Sequence, residues 1–175
     1  NMVKRNKKEI ILGIDPGFGK TGFGVIENSS GEWKLVACGC IETEINDPFV
    51  ERLVELHLEL LKVIKKYKPT RVSVEDLFFA RNVTTAIKVG QARGVILLTV
   101  AQLKIPVEEY TPLQVKQAIT GYGRAEKGQI QRMIQMQFRL KKKITPDDAA
   151  DAVAVALTCA ASLSLKRRLK NNVVK

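Results

Sequence analysis

The sequence predicts an α/β fold in which three antiparallel strands come first and strands then alternate with helices, in the order βββαβαβα with small additions. Two features carry this reading. Period-two apolar runs crowd the first 42 residues with no helical repeat between them, and beyond Glu42 each new strand is separated from the last by a segment of helical period. The 175-residue length and 45% hydrophobic content suit one domain with a full core, spanning residues 2–175 and ending in a basic tail from about residue 165.

Ile10, Ile11, Leu12 and Ile14 form a run of the kind buried on both faces at the centre of a sheet. Asp15-Pro16-Gly17 ends it, because proline lacks a donor N–H and glycine opens backbone angles closed to other residues. From Thr21 a second strand sets Phe23 and Val25 against Gly22 and Gly24, whose missing side chains let something approach the backbone over a bare floor overlooked by Asp15. Ser29-Ser30-Gly31-Glu32 is read as a hairpin turn into a third strand from Trp33 to Glu42. Asp47-Pro48 opens a helix to about Tyr67, with Leu53, Leu56, Leu60 and Ile64 as its apolar stripe, lysines in its last turn and Pro69 as its stop. Arg71 to Glu75 alternates as a fourth strand and, like the first, ends in an acid.

Asn82 to Leu103 follows as a long helix, capped by Asn82. Its apolar residues, Val83, Ile87, Val95, Ile96, Leu98 and Val100 among them, are too many for one sheet face, so part of it is expected against another subunit. A strand at Val107 to Tyr110, a helix from Pro112 to about Ile119, the loop Gly121 to Ala125 and a further helix precede a last helix. Thr145 is read as the N-cap of that helix and Pro146 as its first residue.

Charge narrows the function. The 29 basic residues outnumber 18 acidic ones, leaving +11, and they fall in runs at Lys4–Lys8, Arg139–Lys143 and Lys166–Lys170. Such runs fit a polyanion, and nucleic acid rather than a membrane surface, because the tail lacks a bulky apolar face. No apolar stretch is read as long enough to span a bilayer and no signal-peptide core follows Met2, so a soluble, cytoplasmic protein is expected. The three cysteines are read as reduced; Cys38-x-Cys40 lacks ligand partners for a metal, and His57, the one histidine, is given a surface or packing role.

An acid-rich segment opens the last helix, Asp147-Asp148-Ala149-Ala150-Asp151. Acids in a first turn complement the helix macrodipole, so Asp147 and Asp148 need no further reason. Asp151 does, since a carboxylate on a small apolar helix packed against a sheet is desolvated. Helical spacing gives it either Asp148 or Asp147 as a neighbour on the same face. Crowded carboxylates repel one another unless hard divalent cations lie between them, and paired cations of that kind hydrolyse phosphodiesters.

These segments resemble the RuvC family of Holliday junction resolvases. The likeness runs in order through Gly13-Ile14-Asp15-Pro16-Gly17 with Thr21-Gly22-Phe23-Gly24-Val25, Val74-Glu75-Asp76-Leu77-Phe78, Gly90-Gln91-Ala92-Arg93-Gly94 and Asp148-Ala149-Ala150-Asp151-Ala152. The resemblance implies an RNase H-like (retroviral-integrase superfamily) fold, a mixed five-stranded sheet flanked by helices. It implies a structure-specific endodeoxyribonuclease that resolves four-way DNA junctions in recombination and repair. On that resemblance Asp15, Glu75, Asp148 and Asp151 are the catalytic carboxylates and hold Mg²⁺, with Mn²⁺ as substitute. Lys116 and Lys127 contact phosphates, Phe78 contacts the junction, and Arg124 adds a charge beside the second lysine. A homodimer working with the RuvA–RuvB branch-migration motor is also implied. Two other readings are a non-catalytic branched-DNA-binding module and a phosphotransferase of the actin-like superfamily, whose phosphate loop also follows a strand with an acid and glycines. The latter needs a second such lobe, and this chain has one glycine-rich hairpin.

Overall fold

The computed structural model describes residues 8–28, 31–76 and 83–173. Strands β1 (Glu9–Asp15), β2 (Lys20–Asn28), β3 (Trp33–Glu42), β4 (Arg71–Glu75) and β5 (Val107–Tyr110) are joined with helices α1 (Phe49–Tyr67), α2 (Val83–Gln102), α3 (Pro112–Thr120), α4 (Lys127–Gln137) and α5 (Asp147–Val173). The strands make one five-stranded sheet in the order β3-β2-β1-β4-β5. Hairpin connections make β1, β2 and β3 antiparallel, whereas the helical crossovers α1 and α2 make β1–β4 and β4–β5 parallel. The expected mixed sheet is therefore present, and β1, which carries the apolar run Ile10, Ile11, Leu12 and Ile14, lies at the centre.

Strand alternation splits the core into two layers. Leu12, Ile14, Val25, Val72 and Val74 point to α1 and α2, which close that side with Leu56, Leu60, Ile64, Ala92, Ile96 and Val100. Ile11, Ile26 and Tyr110 belong to the opposite layer, closed by α5 with α3 and α4 behind it. His57 on α1 hydrogen-bonds Thr99 on α2 at 2.7 Å, a packing role within the first layer. All three cysteines are free thiols.

Four readings need correction. The buried stripe of α1 begins at Arg52, 6% exposed, with Leu53 only half-buried, because the guanidinium has polar work to do: it donates to Thr43 Oγ1 and to the Phe18 carbonyl, both at 3.0 Å. The glycine floor of β2 is not bare but covered by α5, as detailed below. In α5, Pro146 stands where Thr145 was expected to cap, since Ala150 N–H donates to the Pro146 carbonyl and the helix proper starts at Asp147. Finally, α2 and α5 are long and apolar enough to cross a bilayer by length and composition. In this fold α5 is a core helix lying on the sheet, and α2 carries Lys88 and Arg93 near its middle, where a membrane would penalise charge.

Several expectations fall outside the described residues: the turn residues Ser29 and Ser30, the cap Asn82, the run Lys4–Lys7, and Phe78.

Candidate active site

Strand parity brings the first two acids together. Ile14 lies opposite Val74 in the parallel β1–β4 register, so the next residues, Asp15 and Glu75, end adjacent strands and project to the same face. That face is the one α5 covers. Ser73, two residues before Glu75, donates to the Val155 carbonyl of α5 at 3.1 Å, fixing the helix over β4.

Three missing side chains let α5 come close enough to add its own acids. A Cβ on Gly22 would lie 2.0 Å from the Asp148 carbonyl oxygen, on Gly13 2.1 Å from the Ala152 carbonyl oxygen, and on Gly24 2.5 Å from Val153 Cγ2. Gly22 is the direct partner of Asp15 in the β1–β2 register, so the backbone of Asp148 rests beside Asp15. Ala149, Ala150, Ala152 and Ala156, all buried, keep the helix slim on the same side. Gly22→Ala would force α5 outward, and overpacking of this kind costs about 1–3 kcal/mol. The expected result is a Tm lower by about 2–12 °C, and an unchanged melting curve would mean the helix has room to yield.

The acids feel one another. Burial, then Glu75, Asp151 and Asp148, push the Asp15 carboxyl from its ordinary 3.8 up to about 8, with a hydrogen bond between Asp15 and Glu75 contributing. Glu75 is also raised, by burial first and by Asp151, while its hydrogen bond with Asp15, and then Lys127 and Lys116, pull it down. Asp147, the alternative partner of Asp151, instead turns away to accept from Gln131 Nε2 at 2.9 Å. The neighbours of Asp15 are thus the other three acids named from the sequence and not Asp147.

An all-carboxylate set suits a hard divalent cation. Among the described residues no three acid, histidine or cysteine side chains stand tightly enough to hold one as they are. Asp15 and Glu75 interact with each other, and Asp151 bonds Lys127 Nζ at 2.9 Å. The four carboxylates fit the ion in chemistry, as hard oxygen donors.

Without metal, proton binding should show in stability. The folded chain keeps the Asp15 proton up to about pH 8, while the unfolded chain loses it near 3.8. Folding therefore takes up protons between those values, and stability falls as pH rises through that window. In EDTA, the Tm of the wild type is expected to fall from pH 5 to pH 8.5, and Asp15→Asn, which has no proton to lose, should flatten the fall and melt higher at the alkaline end. Parallel curves for the two proteins would remove Asp15 as the cause.

Basic residues flank the cluster unevenly. Lys127 is the first residue of α4, where a cation opposes the helix macrodipole; its bond to Asp151 compensates and raises its pKa. Lys116, half-buried on α3, is close enough to act on Glu75. Arg124 is exposed on the loop between them and forms no ion pair among the described residues. The basic tail is elsewhere. Arg167 pairs with Glu9 at 2.8 Å and Lys166 with Glu108 at 3.3 Å, at the sheet end where β1 begins. From Asp151 to Arg167 the helix rises roughly 24 Å, so this run does not flank the acids and is partly spent on holding α5 to the sheet.

Sequence reasoning assigned no role to Arg93, although it reaches the same strand end. Its Nε donates to the Glu75 carbonyl at 3.4 Å, and its Nη2 contacts Asp76 Oδ1 at 3.2 Å and Glu109 Oε2. An arginine amid the apolar residues of α2 was the available signal.

Comparison with known proteins places the fold and the family. The family model for "Crossover junction endodeoxyribonuclease RuvC" matches residues 11–159. The chain is 52% identical over 147 residues to the crossover junction endodeoxyribonuclease RuvC of Petrotoga mobilis, covering 84% of this chain and 90% of that one. It is 48% identical to the enzyme of the same name from Pelotomaculum thermopropionicum, covering 92% and 98%. Among solved structures it is similar to T. thermophilus RuvC in complex with Holliday junction substrate, at TM-score 0.85 and 34% identity over 90% of this chain and 96% of that one. The yeast mitochondrial Holliday junction resolvase Ydc2 shares the fold at TM-score 0.67 and 13% identity, over 92% of this chain and 83% of that one.

Proposed function

The chain belongs to the RuvC family of crossover junction endodeoxyribonucleases, with their RNase H-like fold, and we propose that its four converging acids are the centre at which it cuts Holliday junctions. It is a hydrolase of DNA recombination and repair. The observation that carries the assignment of the centre is geometric: Asp15 and Glu75 end adjacent parallel strands, and side-chain-free Gly22, the partner of Asp15, lets the backbone of Asp148 rest against them. Isolated acids that only cap helices or end strands would not crowd in this way.

Asp15, Glu75, Asp148 and Asp151 would hold Mg²⁺, with Mn²⁺ as substitute. Cations so held supply an activated water and stabilise the leaving oxygen of the phosphodiester. The rest falls to the chain. Asp15 must lose the proton that burial and its neighbours favour, which makes loading of the site a competition with protons. Lys127 exchanges Asp151 for a phosphate of the bound strand, freeing that carboxylate at the moment DNA arrives. Lys116 meets a second phosphate, and exposed Arg124 a further one. The positive end of α5 faces the same point and favours a phosphate there. Phe78 is proposed to stack on an unpaired base at the crossover. The reading includes a homodimer acting with the RuvA–RuvB motor in the cytoplasm.

Nicking of a four-way junction and of a linear duplex of the same sequence, each with Mg²⁺ or EDTA, tests the proposal: cutting should need both the branch and the ion. Lys116→Ala and Lys127→Ala should each weaken junction binding and flatten the slope of log affinity against log salt by about 0.9. An unchanged slope would make that lysine an ordinary surface residue.

A further inference from the structure

Resting on that reading of the acid cluster, we propose that Arg93 is a positioning residue for Glu75: it locks the end of β4 so that the Glu75 carboxylate is presented to the metal. The side chain is only 16% exposed and reaches from the middle of α2 to the ends of two strands. One guanidinium serves three acceptors there, the main-chain carbonyl of Glu75, the carboxylate of Asp76 and that of Glu109. The strand ends are also tied to each other, since Asp76 N–H donates to the Tyr110 carbonyl at 2.7 Å. Arg93 completes a frame around the single peptide from which the Glu75 side chain departs.

The frame matters because it holds β4 at the point where the strand ends. Glu75 is its last residue, and its side chain turns toward Asp15 while its carbonyl turns toward Arg93. A planar fork suits this task where a lysine does not: three acceptors in different directions need several donors held in one rigid plane. Neutralising Asp76 and Glu109 has a second effect, since two unpaired carboxylates at the strand ends would add their repulsion to a cluster already crowded with negative charge. Arg93 touches none of the reacting groups, so its influence on cutting passes through Glu75.

The test compares Arg93→Lys, Arg93→Gln and the milder Glu109→Gln with the wild type and with Glu75→Gln. Three readouts are taken: Mn²⁺ binding by the loss of the free-ion EPR signal, junction affinity in Ca²⁺, and nicking rate against Mg²⁺ concentration. Both Arg93 variants should bind junctions within about twofold of wild type while the Mn²⁺ midpoint rises about tenfold, in the range seen when the partners of metal ligands are removed. Glu109→Gln should shift it in the same direction by less, and excess Mg²⁺ should restore much of the nicking by Arg93→Lys. A lower Tm with an unchanged Mn²⁺ midpoint, in either the Arg93 variants or Glu109→Gln, would overturn the proposal in favour of a structural role. Glu75→Gln separates the two levels: if it cuts at the wild-type rate, the assignment of the acid cluster fails, whereas if it is inactive and Arg93→Gln behaves as wild type, only the positioning role fails.

Discussion

Asp15→Asn should abolish junction cutting while leaving junction binding intact. Asparagine keeps the size of the side chain and the turn that follows it, but it replaces the charged donor at the centre of the cluster with a neutral amide. Asp15 is the acid on which the other three bear, and it lies over the meeting point of β1, β2, β4 and α5. Partners that only support metal ligands typically contribute 10–100-fold, so loss of a ligand itself should exceed about 10³-fold in rate. Binding should hold or improve slightly, because one negative charge disappears from a surface that meets phosphates, and Lys116 and Lys127 are untouched. Glu75→Gln and Asp151→Asn should follow, with Asp151→Asn also releasing Lys127 from its partner. Gel-shift titration in Ca²⁺ and single-turnover cleavage in Mg²⁺ separate the two effects. Wild-type rates for any of these variants at saturating Mg²⁺ would remove that residue from the centre.

What the sequence disclosed follows from where local chemistry governs. The strands β3, β4 and β5 stand where their alternation placed them, and Asp15 and Glu75 are legible as acids ending apolar runs, because strand period and turn chemistry act over a few residues. The choice between Asp147 and Asp148 was open on spacing alone, since both share a helical face with Asp151. It depends on Gln131, a residue of α4 that holds Asp147 away, and no local rule connects those positions. The glycines of β2 announced a close approach but not its occupant, which is set by how α5 returns to the sheet. Arg52 and Arg93 could not be given their acceptors from the sequence, because those acceptors lie on other elements. The basic tail misled in the opposite sense: its charge is plain in the sequence, yet only the fold shows that it sits at the far end of α5 and that Lys166 and Arg167 are paired.

Charged substitutions on the outer face of α2 should convert paired cutting into single nicks. A four-way junction offers two equivalent strands, and one acid cluster cannot reach both, so coordinated cleavage requires two centres held by symmetry. The surface that fits this role is visible on α2. Its buried residues Ala92, Ile96, Thr99 and Val100 face α1 and the sheet, while Val83, Ile87 and Leu98 remain 71%, 57% and 59% exposed. Ile87, Gly94 and Leu98 recur at helical spacing along that outer side. Gly94 has open space where a side chain would be, which lets a facing helix come close. An isologous α2–α2 contact would bury these residues and set the two clusters in fixed relation. It would also join the interface to Glu75 through Arg93. Ile87→Glu with Leu98→Glu should leave a folded monomer by sedimentation, since both side chains are exposed in the single chain. That monomer should still nick a cruciform plasmid but linearise it at least about tenfold less, because each cut then requires a separate encounter and the effective concentration of the second centre is lost. A wild-type protein that sediments as a monomer under conditions where it linearises the plasmid would defeat the account, because two cuts would then be coordinated without the second subunit the outer face of α2 is argued to hold.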